Sequence, residues 1–253
     1  MANRVALVTG GGRGIGRGIS LGLAQDGFDV AITYRKDDDA AAETVAMIEA
    51  LGMAAYAVQG DVSSQDDNVR NVAEVIDRFG GFQVLVNNGG IASRGRSVVN
   101  TDAEELQRVV ATHALGPHHL CSVAVPHLRT HDRADIVVIS SVATLSFGGN
   151  GAPYNMGKAA LEALAFTLAK EERANGIRVN IVAPGLVETD MGRRLVKGAA
   201  GIDDITTLNA TMPFGRVCQP EDIAGAVRFF VSANAGYVTG EKLNVWGGGQ
   251  DWR

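Results

Sequence analysis

Cysteine is nearly missing from this chain: Cys121 and Cys218 are the only two, far apart and with neither metal-ligand nor redox spacing. Both read as buried small hydrophobes of a protein kept in a reducing cytosol. Histidine is scarce as well. Of the five, His113, His118 and His119 fall on one predicted helix, and no second cluster of Cys, His or Asp completes a coordination shell, so no metal is expected. No basic stripe is present, which argues against nucleic acid as a partner. No apolar run approaches the length of a membrane span, and Met1-Ala2-Asn3-Arg4 leads into a short apolar strand without a signal-peptide core or cleavage site. A cytoplasmic protein without a membrane partner is the expectation. Repeats, low-complexity tracts and linkers are absent too. With 46% hydrophobic residues, 20% charged residues and a net charge of −5, the 253 residues suit one large domain spanning 1–253.

What is present is an alternation. Apolar or β-branched stretches at Arg4–Val8, Val30–Tyr34, Ala54–Val58, Val84–Asn87, Ile136–Ser140, Arg178–Val182 and Lys242–Val245 are separated by helix-length patterns. This predicts an α/β fold: a doubly wound Rossmann domain with a seven-stranded parallel sheet and helices on both faces. Ser64 with Asp67, and Thr101 with Glu104, have capping-box spacing, while Pro220 suits a first helical turn. The run Asp37-Asp38-Asp39 reads as a solvated turn before a helix from Ala40 to Leu51.

The glycines of Thr9-Gly10-Gly11-Gly12-Arg13-Gly14-Ile15-Gly16 follow the first strand and open a helix. Gly10, Gly14 and Gly16 are spaced G-x-x-x-G-x-G, which lets a backbone approach a pyrophosphate at a helix N-terminus. Dinucleotide choice is read where strand two ends, in Thr33-Tyr34-Arg35-Lys36. An NAD site usually carries an acid there, roughly twenty residues past the glycines. Arg13 and Arg35 could instead converge on a 2′-phosphate, so NADP(H) is preferred over NAD(H). Two alternatives stand beside this: both arginines are exposed solubilising groups, or Asp37 folds back to a ribose. Asp61, in Gly60-Asp61-Val62, either holds an adenine amino group or starts a turn. Asn87-Asn88-Gly89-Gly90 can tie strand ends together and leave room for a cofactor, and Ala183-Pro184-Gly185-Leu186-Val187-Glu188-Thr189 offers a rigid turn and a hydroxyl.

Chemistry is expected between Ile136 and Lys158. The strand delivers Ser140 and Ser141 to its carboxyl end, where α/β sheets hold ligands. A helix from Tyr154 to about Asn175 puts Tyr154 and Lys158 one turn apart on one face. An adjacent ammonium would lower the phenol pKa from near ~10 toward the working range.

Thr9-Gly-Gly-Gly-Arg-Gly-Ile-Gly16, Asn87-Asn-Gly-Gly90, Ser141, Tyr154-x-x-x-Lys158 and Pro184-Gly-x-x-x-Thr189, in this order, resemble the short-chain dehydrogenase/reductase family. Pro220-Glu-Asp-Ile-Ala224 and Tyr237-Val-Thr-Gly240 make the chain similar to the 3-oxoacyl-thioester reductase branch. The resemblance implies a homotetramer that uses NAD(P) to interconvert a carbonyl and an alcohol. In it Tyr154 is the acid/base, Lys158 lowers its pKa and binds the nicotinamide ribose, and Ser141 orients the carbonyl. Gly10, Arg13, Gly14, Ile15, Gly16, Arg35, Asp61, Val62, Asn87, Gly89, Pro184, Gly185, Val187 and Thr189 join Tyr154 and Lys158 as cofactor-binding residues. The chain departs from the pattern in four places. Gly89 replaces the alanine of Asn-Asn-Ala-Gly, removing a methyl and loosening the turn. Trp246 stands at a common aspartate. Asn175 occupies a position that is basic in carrier-protein reductases, which counts against docking of an acyl carrier protein. His113 takes the place of the asparagine that completes the catalytic tetrad and is thought to hold a local helix distortion. It is either passively tolerated, the reading favoured, or a member of the proton relay.

The sequence reading is therefore an NADPH-dependent reductase of a small-molecule ketone or 3-oxoacyl-type carbonyl. An NAD(P)-dependent alcohol or sugar dehydrogenase running the other way, and a regulatory or scaffold protein with an impaired site, are the alternatives. Residues 191–214, of mixed polarity, are expected to form a substrate lid.

Overall fold

The computed structural model describes residues 3–249. Its centre is a seven-stranded parallel sheet in the order β3-β2-β1-β4-β5-β6-β7. The strands are β1 (Val5–Val8), β2 (Asp29–Tyr34), β3 (Ala55–Gln59), β4 (Val84–Asn87), β5 (Ala134–Ile139), β6 (Ile177–Pro184) and β7 (Lys242–Val245). Because parallel strands are covered on both faces, their residues are apolar without alternation; β1, β4, β5 and β6 are buried end to end. β5 and β6 extend a residue or two beyond the apolar runs that announced them, since Ala134, Asp135 and Pro184 also sit in the ladder.

Alternate strand residues feed two cores. Ala6, Val8, Val30 and Ile32 pack under α1 (Gly14–Gln25), α2 (Asp38–Ala50) and α9 (Pro220–Val231) through Ile19, Leu23, Ile48, Ile223, Val227 and Phe230. On the other face Val5, Leu7, Leu85 and Ile136 meet α3 (Gln65–Phe79), α5 (Gly116–Leu128) and α7 (Ala152–Glu172) through Val72, Val75, Leu120, Leu128, Leu161 and Leu168. Between these lie α4 (Ala103–Val110), the short α6 (Ala143–Ser146) and α8 (Asp190–Ala200).

Several helix starts follow the side chains. Ser64 accepts from the Asp67 N–H as its spacing implied, but the Asp67 carboxylate accepts from the Asp61 N–H instead of closing the box. Thr101 does not cap α4; Asp102, one residue later, accepts from Glu105 N–H at 2.7 Å, a carboxylate outcompeting a hydroxyl at the positive end of a helix. Asp37 caps α2. Pro220 opens α9 behind a reciprocal Gln219–Asp222 box. Cys121 is buried with its thiol pushed up to about 12, whereas Cys218, in an isolated bridge with Val187 outside the seven strands, is only half-buried.

Order reversal between β2-β1 and β4 opens a crevice beyond the carboxyl ends of β1 and β4, where ligands of such sheets lie. At the opposite edge Asp135, 2% exposed, faces Arg4 at 2.9 Å, Arg133 at 3.5 Å and Arg178. Removing one partner of such a buried cluster leaves the others uncompensated. Asp135→Ala is expected to lower stability by about 3–5 kcal/mol, read as a fall in the urea midpoint without a change in slope.

Candidate active site

The glycine loop joins β1 to α1 and packs too tightly for side chains. Gly10 and Gly14 have φ of 62° and 52°, and a Cβ on Gly16 would overlap the Gly10 carbonyl oxygen. Unlike α2, α3, α4 and α8, helix α1 has no side-chain cap and no acid in its first turn. Its free N–H groups open on a cleft lined by Arg13, Gly14, Arg17, Asp37, Glu188, Thr189 and Arg193. An uncapped positive helix end beside guanidinium groups fits a dinucleotide pyrophosphate.

Across the crevice Asn88, rather than Asn87, ties the strand ends. Its Nδ2 donates to the Thr9 carbonyl at 2.9 Å, and the Asn88 and Gly89 N–H groups both donate to the Thr9 hydroxyl at 2.9 Å. Asn87 is buried, with Nδ2 3.8 Å from the Cys121 sulfur. A Cβ on Gly89 would lie 2.8 Å from Val62 Cγ1, so the missing methyl admits the valine.

Arg13 reaches Asp37 at 3.6 Å and Arg35 reaches Asp61 at 3.5 Å, all four partly exposed. Asp37 caps α2 through Oδ1 and lines the same cleft as Arg13. Burial alone would raise the Asp61 pKa, but hydrogen bonds from Ser63 and the charge of Arg35 hold it below the usual carboxylate range. Its carboxylate thus shapes the turn after β3. Pro184 ends β6, the Gly185 N–H donates to Val245, Val187 is buried and Ile15 is half-buried. The Thr189 hydroxyl, expected to face a cofactor amide, accepts from Gly192 N–H at 3.1 Å and caps α8, because Thr189 has the extended backbone of an N-cap.

Tyr154 and Lys158 lie on one face of α7, beneath the loop that carries Ser141. The Lys158 ammonium is 4% exposed, donates to the Ile139 carbonyl at 2.7 Å and sits 5.7 Å from the Tyr154 ring centroid. Burial pulls its pKa down to about 7, opposed by Glu162. The expected lowering of the Tyr154 pKa is not found. Burial raises it, and the hydrogen bond with Ser141 only partly offsets this.

His113 lies in a π-turn, Ala111–Leu115, between α4 and α5, so the helix distortion is present with histidine in place of asparagine. Its Nε2 lies 2.7 Å from the Ile91 carbonyl and 3.3 Å from the Ile91 N–H, while buried Nδ1 has no partner. The ring stands edge-on to Tyr154 at 5.2 Å. Glycines make the space: a Cβ on Gly90 or on Gly157 would lie 2.7 Å from the imidazole Cε1 or from His113 Cβ. His118 and His119 are further along, on α5. Among the described residues no group of three or more His, Cys, Asp or Glu is arranged to hold a metal ion, and no helix is long and apolar enough to cross a membrane.

Residues 10–250 match the family described as Enoyl-(Acyl carrier protein) reductase. The chain belongs to the short-chain dehydrogenase/reductase family. It is 36% identical over 247 residues to a 3-oxoacyl-[acyl-carrier-protein] reductase of Synechocystis sp., with 97% of this chain and 96% of that protein covered. A short chain dehydrogenase from Burkholderia cenocepacia, solved in complex with NADP, superposes with a TM-score of 0.88 at 34% identity, covering 97% of each chain. An NAD+-bound xylitol dehydrogenase superposes with a TM-score of 0.90 at 26% identity, covering 97% of this chain and 98% of that one. This short-chain dehydrogenase/reductase is therefore an NAD(P)-dependent oxidoreductase interconverting CH–OH and C=O groups. The regulatory-protein reading falls away.

Burial and the Lys158 charge push the His113 pKa down to about 3, so the imidazole stays neutral across the working range. His113→Asn should keep kcat within about tenfold of the parent, ~1.4 kcal/mol of barrier, with an unchanged pH profile. A neutral buried histidine also destabilises in acid. The unfolded chain binds a proton below pH ~6.5 that the folded chain refuses until pH 3, so this contribution is lost as pH falls through that window. Urea midpoints between pH 5 and 8 should fall with acid more steeply for the parent than for the variant.

Proposed function

We propose that this enzyme reduces a ketone or 3-oxoacyl-type carbonyl to a secondary alcohol with NADPH. The observation that carries the reading is the meeting of Ser141, Tyr154 and Lys158 at the carboxyl edge of β5, next to the uncapped N-terminus of α1. When bound, the nicotinamide supplies a hydride. The chain's own groups bind, orient and protonate. The α1 N–H groups and the glycine loop hold the pyrophosphate, with Gly10, Gly14, Gly16 and Gly89 leaving room. Ser141 presents its hydroxyl to the carbonyl oxygen, and Tyr154 donates the proton. A phenol with a raised pKa is fully protonated at neutral pH, the state that reduction requires. Lys158 supplies the positive charge that steadies the phenolate once the proton has gone. The same groups serve the oxidative direction, since proton transfer is reversible.

Arg13 and Arg35 are read as the 2′-phosphate partners. Their present pairs at 3.6 and 3.5 Å are long and solvated, so exchanging them for a phosphate costs little. Residues 191–214 act as a lid. Val196, Ile205 and Met212 form with Leu186 and Val217 an apolar cluster of their own, while Leu195 and Phe214 stay exposed, as a cover that moves as a unit would have it. A homotetramer in the cytoplasm is the assembly we favour; Val99 and Tyr237, 90% and 104% exposed, offer apolar surface for it. The substrate is read as a small molecule, without a need for acyl carrier protein.

Tyr154→Phe should abolish turnover, by at least about 10²-fold, while the Kd for NADPH stays nearly unchanged in fluorescence titration. Retention of most activity would refute the chemistry. Two charge-assisted contacts, at ~1.5–3 kcal/mol each, should give NADPH at least a tenfold advantage in kcat/KM, and equal or better values with NADH would refute the cofactor assignment.

A further inference from the structure

Tyr154, Lys158 and Glu162 follow one another at i, i+4 and i+8 along the same face of α7. Neither the glycine loop nor the catalytic groups account for Glu162. It is largely buried, at 13% side-chain exposure, and its environment is fully built. Glu162 Oε1 accepts from the Ser140 hydroxyl at 2.5 Å and lies 2.8 Å from the Thr144 hydroxyl. Lys242, from β7, donates to Glu162 Oε2 at 3.0 Å and to Thr144 Oγ1 at 2.6 Å. Ser140 and Thr144 flank Ser141 on the turn that leaves β5, and the Thr144 hydroxyl also reaches the Ser141 carbonyl at 2.8 Å.

We propose that Glu162 and Lys242 are a positioning pair: together they hold the Ser141 turn against α7 and set the electrostatic field in which Tyr154 and Lys158 exchange protons. The proposal rests on the reading that Ser141, Tyr154 and Lys158 carry carbonyl reduction. Two features give the pair this role. The first is mechanical. α7 touches the Ser141 turn through the Glu162 carboxylate, and the last strand of the sheet closes the network from the other side. The second is electrostatic. Lys158 bonds the Ile139 carbonyl and Glu162 bonds the Ser140 hydroxyl, so ammonium and carboxylate meet adjacent residues of one strand end. In that low-dielectric pocket a charge change is felt directly. The titratable groups facing Lys158 are Tyr154 and Glu162 on α7, His113 on the π-turn, and Lys242 on β7 through Glu162; His113 is neutral, so the carboxylate and the second ammonium set the balance.

The sign of each substitution follows from charge. Glu162→Gln keeps shape and hydrogen bonding but removes a negative charge, so whichever proton of the coupled Tyr154–Lys158 pair leaves first leaves more readily. Lys242→Met removes a positive charge and makes that proton harder to lose. The experiment measures kcat/KM for NADPH-dependent ketone reduction against pH in the parent and both variants, with Tm alongside. Glu162→Gln should move the alkaline limb to lower pH and Lys242→Met should move it to higher pH, each by about half a unit or more. Shifts in the same direction, or unmoved limbs with only a lower Tm or kcat, would overturn the proposal, because a merely structural pair does not produce opposite displacements. A parent without reductase activity would instead refute the functional reading beneath it.

Discussion

Lys158 is an ammonium taken almost wholly out of water, and an isolated buried charge of that kind sheds its proton unless its surroundings hold it. The carboxyl end of β5 and its neighbours provide that support. The Ile139 carbonyl accepts its hydrogen bond, the Glu162 carboxylate opposes the loss of its charge, and the Tyr154 ring presents a π-face near by. With a pKa near 7 the lysine is poised between two charge states. Small changes in neighbouring charge therefore matter more here than at an exposed lysine.

Histidine at 113 fits this balance because it adds no charge to it. A second cation beside Lys158 would cost both groups, and burial together with Lys158 keeps the imidazole neutral. The ring is bulkier than the amide it replaces, and Gly90 and Gly157 make space for it. The π-turn survives. Its geometry belongs to the backbone, and the bond from the imidazole to the Ile91 carbonyl fastens the segment after β4 to it.

The glycine-loop end of the crevice is organised by a different constraint, close backbone approach. Gly10, Gly16 and Gly89 admit, in turn, a left-handed turn, a carbonyl and a valine side chain, while Asn88 and Thr9 lock β4 to β1. What this leaves free is a helix N-terminus with unsatisfied N–H groups, flanked by arginines whose own ion pairs are long and solvated.

Much of this was legible in the chain itself. Buried parallel strands need continuous apolar runs, so the seven strands and their alternation with helices stood out, and helical spacing placed Tyr154 beside Lys158. Glycine spacing marked the tight loop that opens α1. Properties of the space between elements could not be read this way. The Tyr154 pKa moved opposite to expectation because desolvation depends on what covers a group, not on its neighbours along a helix. Asn88 rather than Asn87 and Asp102 rather than Thr101 were decided by which of two adjacent side chains faced its partner, and the Thr189 hydroxyl by where α8 begins. Glu162 shares the helical face of Lys158 at i+4, yet the reading of the chain passed over it, and its partner Lys242 lies 80 residues away. Local spacing fixes which residues share a face, because helix and strand geometry repeat along the chain. Only the folded molecule determines what each face meets, since burial, charge and hydrogen bonding there come from segments that the sequence holds far apart.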